Sequence, residues 1–186
     1  SLDFELIKIS LKAFDVPETV TAYRAIAGLT PYPLHLGMTE AGTPRSGVIR
    51  SAVGIGALLA EGIGDTIRVS LTAPPAEEVR AGYEILKSLN LRQKGPVLVS
   101  CPTCARAEVN VVALAEKVAA ALESVDKPIR VAVMGCAVNG PGEAGDADVG
   151  LACGKGQAIL FRRGEKIRVV REPDLLAALL KEIENF

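Results

Sequence analysis

DTIRVSL at Asp65–Leu71, and after it PAEEVRAGYEILKSL at Pro75–Leu89, read as a β-strand followed by a helix. The same order occurs twice upstream. Phe4–Ser10 is a short β run, followed by a helical pattern over Pro17–Gly28 in which Pro17 suits the first helical position. Pro33–Leu36 is a second strand, and Ser46–Glu61 a second helix ended by Gly62. Three strand–helix units of about thirty residues each imply parallel strands joined by right-handed crossovers. In parallel α/β folds, sites are built at the C-terminal strand ends. The residues placed there are Lys8 and Lys12, then His35, Thr39 and Glu40, then Arg68 and Ser70.

Beyond Gly95 the pattern changes. Pro96–Ser100 is a strand, Val109–Ser124 a strongly amphipathic helix and Pro128–Met134 a buried strand. After a Gly/Pro-rich loop come β runs at Asp148–Cys153, Gly156–Arg162 and Lys166–Arg171. The last two are joined by a hairpin turn at Arg163-Gly164-Glu165, and Pro173–Phe186 closes as a helix. This is the order of a compact α+β domain of about ninety residues. The boundary is expected near Gln93–Gly95, giving domains 1–93 and 94–186.

With 186 residues, 49% of them apolar, the chain can bury one good core or two small ones. A formal net charge of −1 argues against a nucleic-acid surface, and the absence of Trp removes a stacking platform for bases. An anionic substrate would need a local set of cations. No apolar run approaches the ~20 residues of a membrane span, and no signal-peptide core opens the chain. Four cysteines, two of them in a CxxC, fit a reducing compartment better than a disulfide scaffold. A start at Ser1 inside a strand-like run, without Met, is what a chain lacking its natural beginning would show.

Cys101-Pro102-Thr103-Cys104 puts two thiolates on one tight turn, and Cys136 follows the apolar run Ile129–Met134, whose end can carry it to the same point. Thiolates suit zinc or an iron–sulfur cluster, so a metal centre is expected. A structural zinc site usually shows a second closely spaced pair, whereas sixteen residues separate Cys136 from Cys153. Cys153 falls on a β run and reads as a packed core residue. Three thiolates leave one position open, and Glu143 lies in a loop whose glycines let the backbone bend back. A carboxylate binds a soft site more weakly than a thiolate would, which is useful where a substrate oxygen must take its place. Asn139-Gly140-Pro141-Gly142, alone a surface turn, reads as a site loop between Cys136 and Glu143.

In the first half, Lys12 is either a solvated charge or an anion ligand. Arg68 and Ser70 occupy alternate positions of one strand and so project from the same face. An inward Arg in an apolar strand is costly without an anion partner. Together Lys12, Arg68 and Ser70 form a candidate phosphate or diphosphate clamp, with Arg supplying bidentate geometry. His35, the single His, reads as structural rather than catalytic. Glu40 is a candidate acid or base, since partial burial raises a carboxylate's pKa.

Ile9-Ser10-Leu11-Lys12-Ala13, PLHLGMTEAG at Pro33–Gly42, GDTIRVSL at Gly64–Leu71, the CxxC and Met134–Ala144 together resemble the 4-hydroxy-3-methylbut-2-enyl diphosphate synthase family, in order and over essentially the whole chain. The resemblance implies an α/β architecture, with the last three βα units of a TIM barrel followed by a small α+β, reductase-like iron–sulfur domain. It implies a 4Fe–4S cluster held by Cys101, Cys104, Cys136 and Glu143. Diphosphate contacts fall on Lys12, Arg68 and Ser70, the essential barrel carboxylate on Glu40, and a substrate-reaching Asn on Asn139. The implied reaction is reductive ring opening and dehydroxylation of 2-C-methyl-D-erythritol 2,4-cyclodiphosphate to 4-hydroxy-3-methylbut-2-enyl diphosphate, a step of isoprenoid biosynthesis. Two electrons would come from ferredoxin or flavodoxin. The setting implied is a cytoplasmic bacterial homodimer in which one subunit's cluster domain caps the other's barrel. Ala105 and Phe14 depart from the family's usual Gly and Ser, and neither is a matched ligand. Three units cannot close a barrel that needs eight strands, so a chain of this extent is expected to be inactive by itself. The competing expectation is a non-catalytic zinc-binding α/β module built on the same three Cys and Glu143.

Overall fold

A computed structural model gives the fold and describes residues 4–137, 142 and 144–186. The chain separates into two compact units, with the division between Gln93 and Lys94.

In the first unit, α1 (Val16–Ala27) begins where Asp15 caps it, its Oδ1 accepting the Glu18 N–H at 2.8 Å. β1 (His35–Leu36) precedes α2 (Pro44–Ala60), and β2 (Thr66–Ile67) precedes α3 (Pro75–Ser88). β1 and β2 pair in parallel, His35 opposite Thr66 and Leu36 opposite Ile67. Tyr23, Leu36, Ile55, Leu58 and Ile85 join helices and strands in one buried cluster.

The strands are much shorter than the sequence runs. Phe4–Ser10 contributes only an isolated parallel bridge between Ile9 and Leu34. Its Phe4 and Leu6 are 61% and 88% exposed, so no described residue covers the apolar face a strand there would present. Pro33 offers no N–H to a ladder. β2 stops before Arg68 and Ser70 because the two chains part there. The Arg68 N–H still reaches the Leu36 carbonyl at 2.8 Å, but the Thr39 N–H turns to the Ala13 carbonyl and the Thr72 N–H to the Gly42 carbonyl. Arg68 and Ser70 therefore stand just past a strand rather than on one. α2 also starts earlier than Ser46, because Pro44 is suited to a first turn.

The second unit is one five-stranded sheet in chain order. Its elements are β3 (Val97–Ser100), α4 (Val111–Leu122), β4 (Arg130–Met134), β5 (Val149–Gly154), β6 (Gln157–Arg162) and β7 (Glu165–Arg171). A 3₁₀ turn at Glu172–Asp174 then leads into α5 (Leu175–Glu184). β3, β4 and β5 pair in parallel, and β5, β6 and β7 antiparallel. α4 begins after Asn110, whose side chain accepts the Ala113 N–H at 3.1 Å and so sets the start two residues past Val109. The β6–β7 turn uses Arg163 and Gly164 at φ +48° and +80°, both left-handed, as a two-residue hairpin requires.

Side chains alternate across this sheet. Val131, Val133, Leu151, Cys153 and Leu160 belong to the core shared with Val118 of α4 and Leu179 of α5. Ala132, Met134, Ala152 and Phe161 form the opposite cluster, against which Val99 and Cys101 pack. Among the described residues no helix is long and apolar enough to cross a membrane.

Candidate functional site

Two neighbouring parallel strands deliver cysteines to one end of the second sheet. Ser100 of β3 pairs with Val133 of β4, so Cys101 leaves the sheet beside Met134, two residues ahead of Cys136. The Gly135 N–H donates to Cys101 Sγ at 3.1 Å. No side chain fits at Gly135, where a Cβ would stand 2.3 Å from Val111 Cγ2 and 3.5 Å from Cys101 Sγ. Cys136 is buried, Cys101 half-buried and Cys104 exposed. Among the described residues, no three of Cys, His, Asp and Glu come together in a group that could hold a metal ion. Glu143 and Asn139 lie outside the described residues.

The donor chemistry fits a thiolate-ligated centre. Sulfur ligands at adjacent strand ends, with a backbone amide already directed at one of them, match the soft donors and N–H···S bonds of iron–sulfur sites. Cys153 is placed differently. It packs in the helix-covered cluster, whereas Cys101 packs against the opposite one. Burial pushes its thiol up to about 12, with negative charge at Cys101 and Glu172 adding to the effect.

In the first unit, cations gather at the strand ends. The Arg68 guanidinium donates through Nη2 to Thr39 Oγ1 at 3.3 Å and to the Met38 carbonyl at 3.5 Å, both long contacts. Its Nε is buried with no partner among the described residues. Gly37 makes the room, since a Cβ there would lie 2.7 Å from the Arg68 carbonyl oxygen and 3.2 Å from Nε. Burial, then the positive charges of Lys8, Arg68 and Lys12, push the His35 imidazole below its ordinary value. Each of the three cations thus acts on His35, Lys12 from an exposed position, and Ser70 is half-buried. His35 Nδ1 lies 2.7 Å from Thr66 Oγ1, across the strand pair. An unsatisfied buried guanidinium N–H is a group that an anion would complete.

Glu40 is exposed in this unit rather than partly buried as the sequence suggests. What marks it is the backbone, at φ +57°, a conformation costly for any residue but glycine. The loop around it is tied down on every side. Thr39 is bonded to Ala13, Gly42 to Thr72, and the Arg50 guanidinium both donates to the Ala41 carbonyl and lies 4.4 Å over the Phe14 ring. Glu78 Oε1 accepts the Leu71 N–H at 2.8 Å, fixing the loop that carries Ser70. Arg50, Glu78 and Tyr23, whose hydroxyl bonds to Leu11 and His35, went unread in the sequence. A helical Arg, Glu or Tyr carries no local signal of which loop it will reach.

Two family descriptions cover the chain: the GcpE TIM-barrel domain matches residues 1–83, and the GcpE protein C-terminal domain matches residues 97–185. The chain belongs to the GcpE family. The chain is 72% identical over 184 residues to the 4-hydroxy-3-methylbut-2-en-1-yl diphosphate synthase (flavodoxin) of Dehalococcoides mccartyi, a match covering 99% of this chain and 53% of that protein. The protein of the same name from Geobacter sulfurreducens is 61% identical over 184 residues, with 99% and 52% covered. One from Streptomyces avermitilis, named 4-hydroxy-3-methylbut-2-en-1-yl diphosphate synthase (flavodoxin) 1, is 57% identical over 180 residues, with 97% and 47% covered. The resemblance read from the motifs is borne out. The chain spans about half the length of the curated relatives it matches.

Proposed function

We propose that this chain is the C-terminal part of an enzyme that reductively opens 2-C-methyl-D-erythritol 2,4-cyclodiphosphate and removes a hydroxyl, giving 4-hydroxy-3-methylbut-2-enyl diphosphate. The observation that carries the reading is the delivery of Cys101 and Cys136 to one end of β3 and β4, with the Gly135 amide directed at Cys101 Sγ. Cys101, Cys104, Cys136 and Glu143 would hold a 4Fe–4S cluster. When bound, it supplies single electrons at low potential and a Lewis acid. Lys12, Arg68 and Ser70 bind the diphosphate, Glu40 exchanges a proton with the substrate, and Asn139 contacts it. The first unit supplies the last three βα units of a TIM barrel. In a cytoplasmic homodimer, the cluster unit of one subunit caps the barrel of the other. Electrons come from flavodoxin, the donor in the relatives' names, or from ferredoxin.

A structural zinc module is the weaker reading, because it leaves the unpartnered Arg68 Nε and the cations that act on His35 without a purpose. Anaerobic purification separates the two. Broad visible absorption with iron and acid-labile sulfide is the expected result. A colourless protein with one zinc per chain would reverse the conclusion.

A further inference from the structure

Tyr23 is fully buried, yet its hydroxyl joins β1 to the segment that carries Lys12. It accepts the Leu11 N–H at 2.9 Å and donates to the His35 carbonyl at 2.5 Å, with the Leu11 carbonyl at 3.1 Å. Leu11 immediately precedes Lys12, and His35 opens β1. Backbone bonds tie this segment at Ile9, whose carbonyl accepts the His35 N–H, and at Ala13, whose carbonyl accepts the Thr39 N–H. Among the described residues, the hydrogen bonds that hold the stretch between them run through the Tyr23 hydroxyl. A phenylalanine would pack the core as well, because the ring does the packing. The hydroxyl therefore needs another explanation.

We infer that Tyr23 is a positioning residue for Lys12, setting the main chain at Leu11 so that the Lys12 ammonium joins Arg68 on the diphosphate. The inference rests on the clamp of Lys12, Arg68 and Ser70 proposed above. Without the hydroxyl, the Leu11 N–H loses its partner and the segment relaxes. Lys12 must then be ordered at the moment of binding, which weakens affinity.

The test is calorimetric binding of inorganic diphosphate to the full-length protein, at a temperature where every variant is folded. Lys12→Ala should weaken binding about tenfold or more, the worth of a hydrogen bond to a charged group. Tyr23→Phe should weaken it about five- to tenfold in the native background and hardly at all in the Lys12→Ala background, because one acts through the other. Ile85→Ala, in the same core, should lower the melting temperature and leave affinity unchanged. Equal losses from Tyr23→Phe in both backgrounds would make Tyr23 merely structural and overturn the inference, as would native affinity in Tyr23→Phe. Native affinity in Lys12→Ala would instead bring down the clamp, and this inference with it. Should Tyr23→Phe fail to fold, fluorotyrosine labelling decides. Diphosphate must shift the Tyr23 fluorine signal and leave that of Tyr83 in place, and an unmoved Tyr23 signal overturns the inference.

Discussion

The Gly135 amide points at the Cys101 sulfur, 3.1 Å away, so the residue before Cys136 is bonded to the first thiol of the CxxC. The bend that makes this contact leaves no room for a side chain at residue 135. Gly135→Ala would put a methyl 2.3 Å from Val111 Cγ2 at the start of α4. We expect a loss of about 1–3 kcal/mol, the usual cost of overpacking a filled site, read as a lower urea midpoint, together with poorer iron retention. Adding Val111→Ala should recover part of both. Failure of the pair to couple would mean the crowding is relieved elsewhere.

Cys153 should behave as a core residue in two measurements. In metal-free native protein, a thiol reagent should modify exposed Cys104 rapidly and Cys153 only after denaturation, because the thiolate is the reactive form. The pH dependence follows from a thiol pushed up to about 12 against an ordinary 9.0. The folded state keeps the proton when the unfolded chain gives it up. The stabilisation is therefore complete below about pH 9 and is lost as pH rises towards 12. Cys153→Ala should flatten that alkaline slope while keeping the iron content of the native protein. Iron loss from this variant alone would move Cys153 into the ligand set.

Glu40→Gly should separate stability from activity. The native residue sits at φ +57°, which glycine adopts without strain. We expect a gain of roughly 0.5–1 kcal/mol in unfolding free energy, after glycine's entropy cost is deducted from the left-handed penalty. Turnover in the full-length enzyme should be abolished. A variant that loses stability would show that the Glu40 side chain supports the loop instead.

These contrasts follow what was legible in the sequence. In the second unit, elements pack on near neighbours, and patterns such as Val131–Met134 or the turn at Arg163-Gly164 carry the structure locally. Cys101 and Cys136 could be placed at one sheet end because they lie one and two residues past the apolar strands β3 and β4. In the first unit, the run Phe4–Ser10 has β character but no layer to cover it among the described residues, and composition does not report what packs on a strand. Arg68 and Ser70 stand out in the sequence for their chemistry, yet the strand their pattern predicts ends before them, since where two strands part depends on Ala13 and Gly42, far away in sequence. Tyr23 and Arg50 act through backbone carbonyls of other segments, a relation no side-chain pattern encodes.

The room made by Gly37 gives the sharpest test of the anion site. A Cβ there meets the Arg68 carbonyl at 2.7 Å, and backbone cannot swing aside as a side chain would. The residue it strikes is also the one whose N–H bonds the Leu36 carbonyl at 2.8 Å, so β1 and β2 must be forced apart. Gly37→Ala should therefore cost about 1–3 kcal/mol and weaken diphosphate binding together. Arg68→Met should uncouple the two. It removes a guanidinium whose buried Nε has no partner and fills the same space with an apolar chain, a change that is often neutral or stabilising. Diphosphate binding should nonetheless be lost, because methionine offers no donor. Were Arg68 held in place for structure, through Thr39 and Met38, the order would invert: Arg68→Met would lower the urea midpoint and leave the diphosphate affinity where it was.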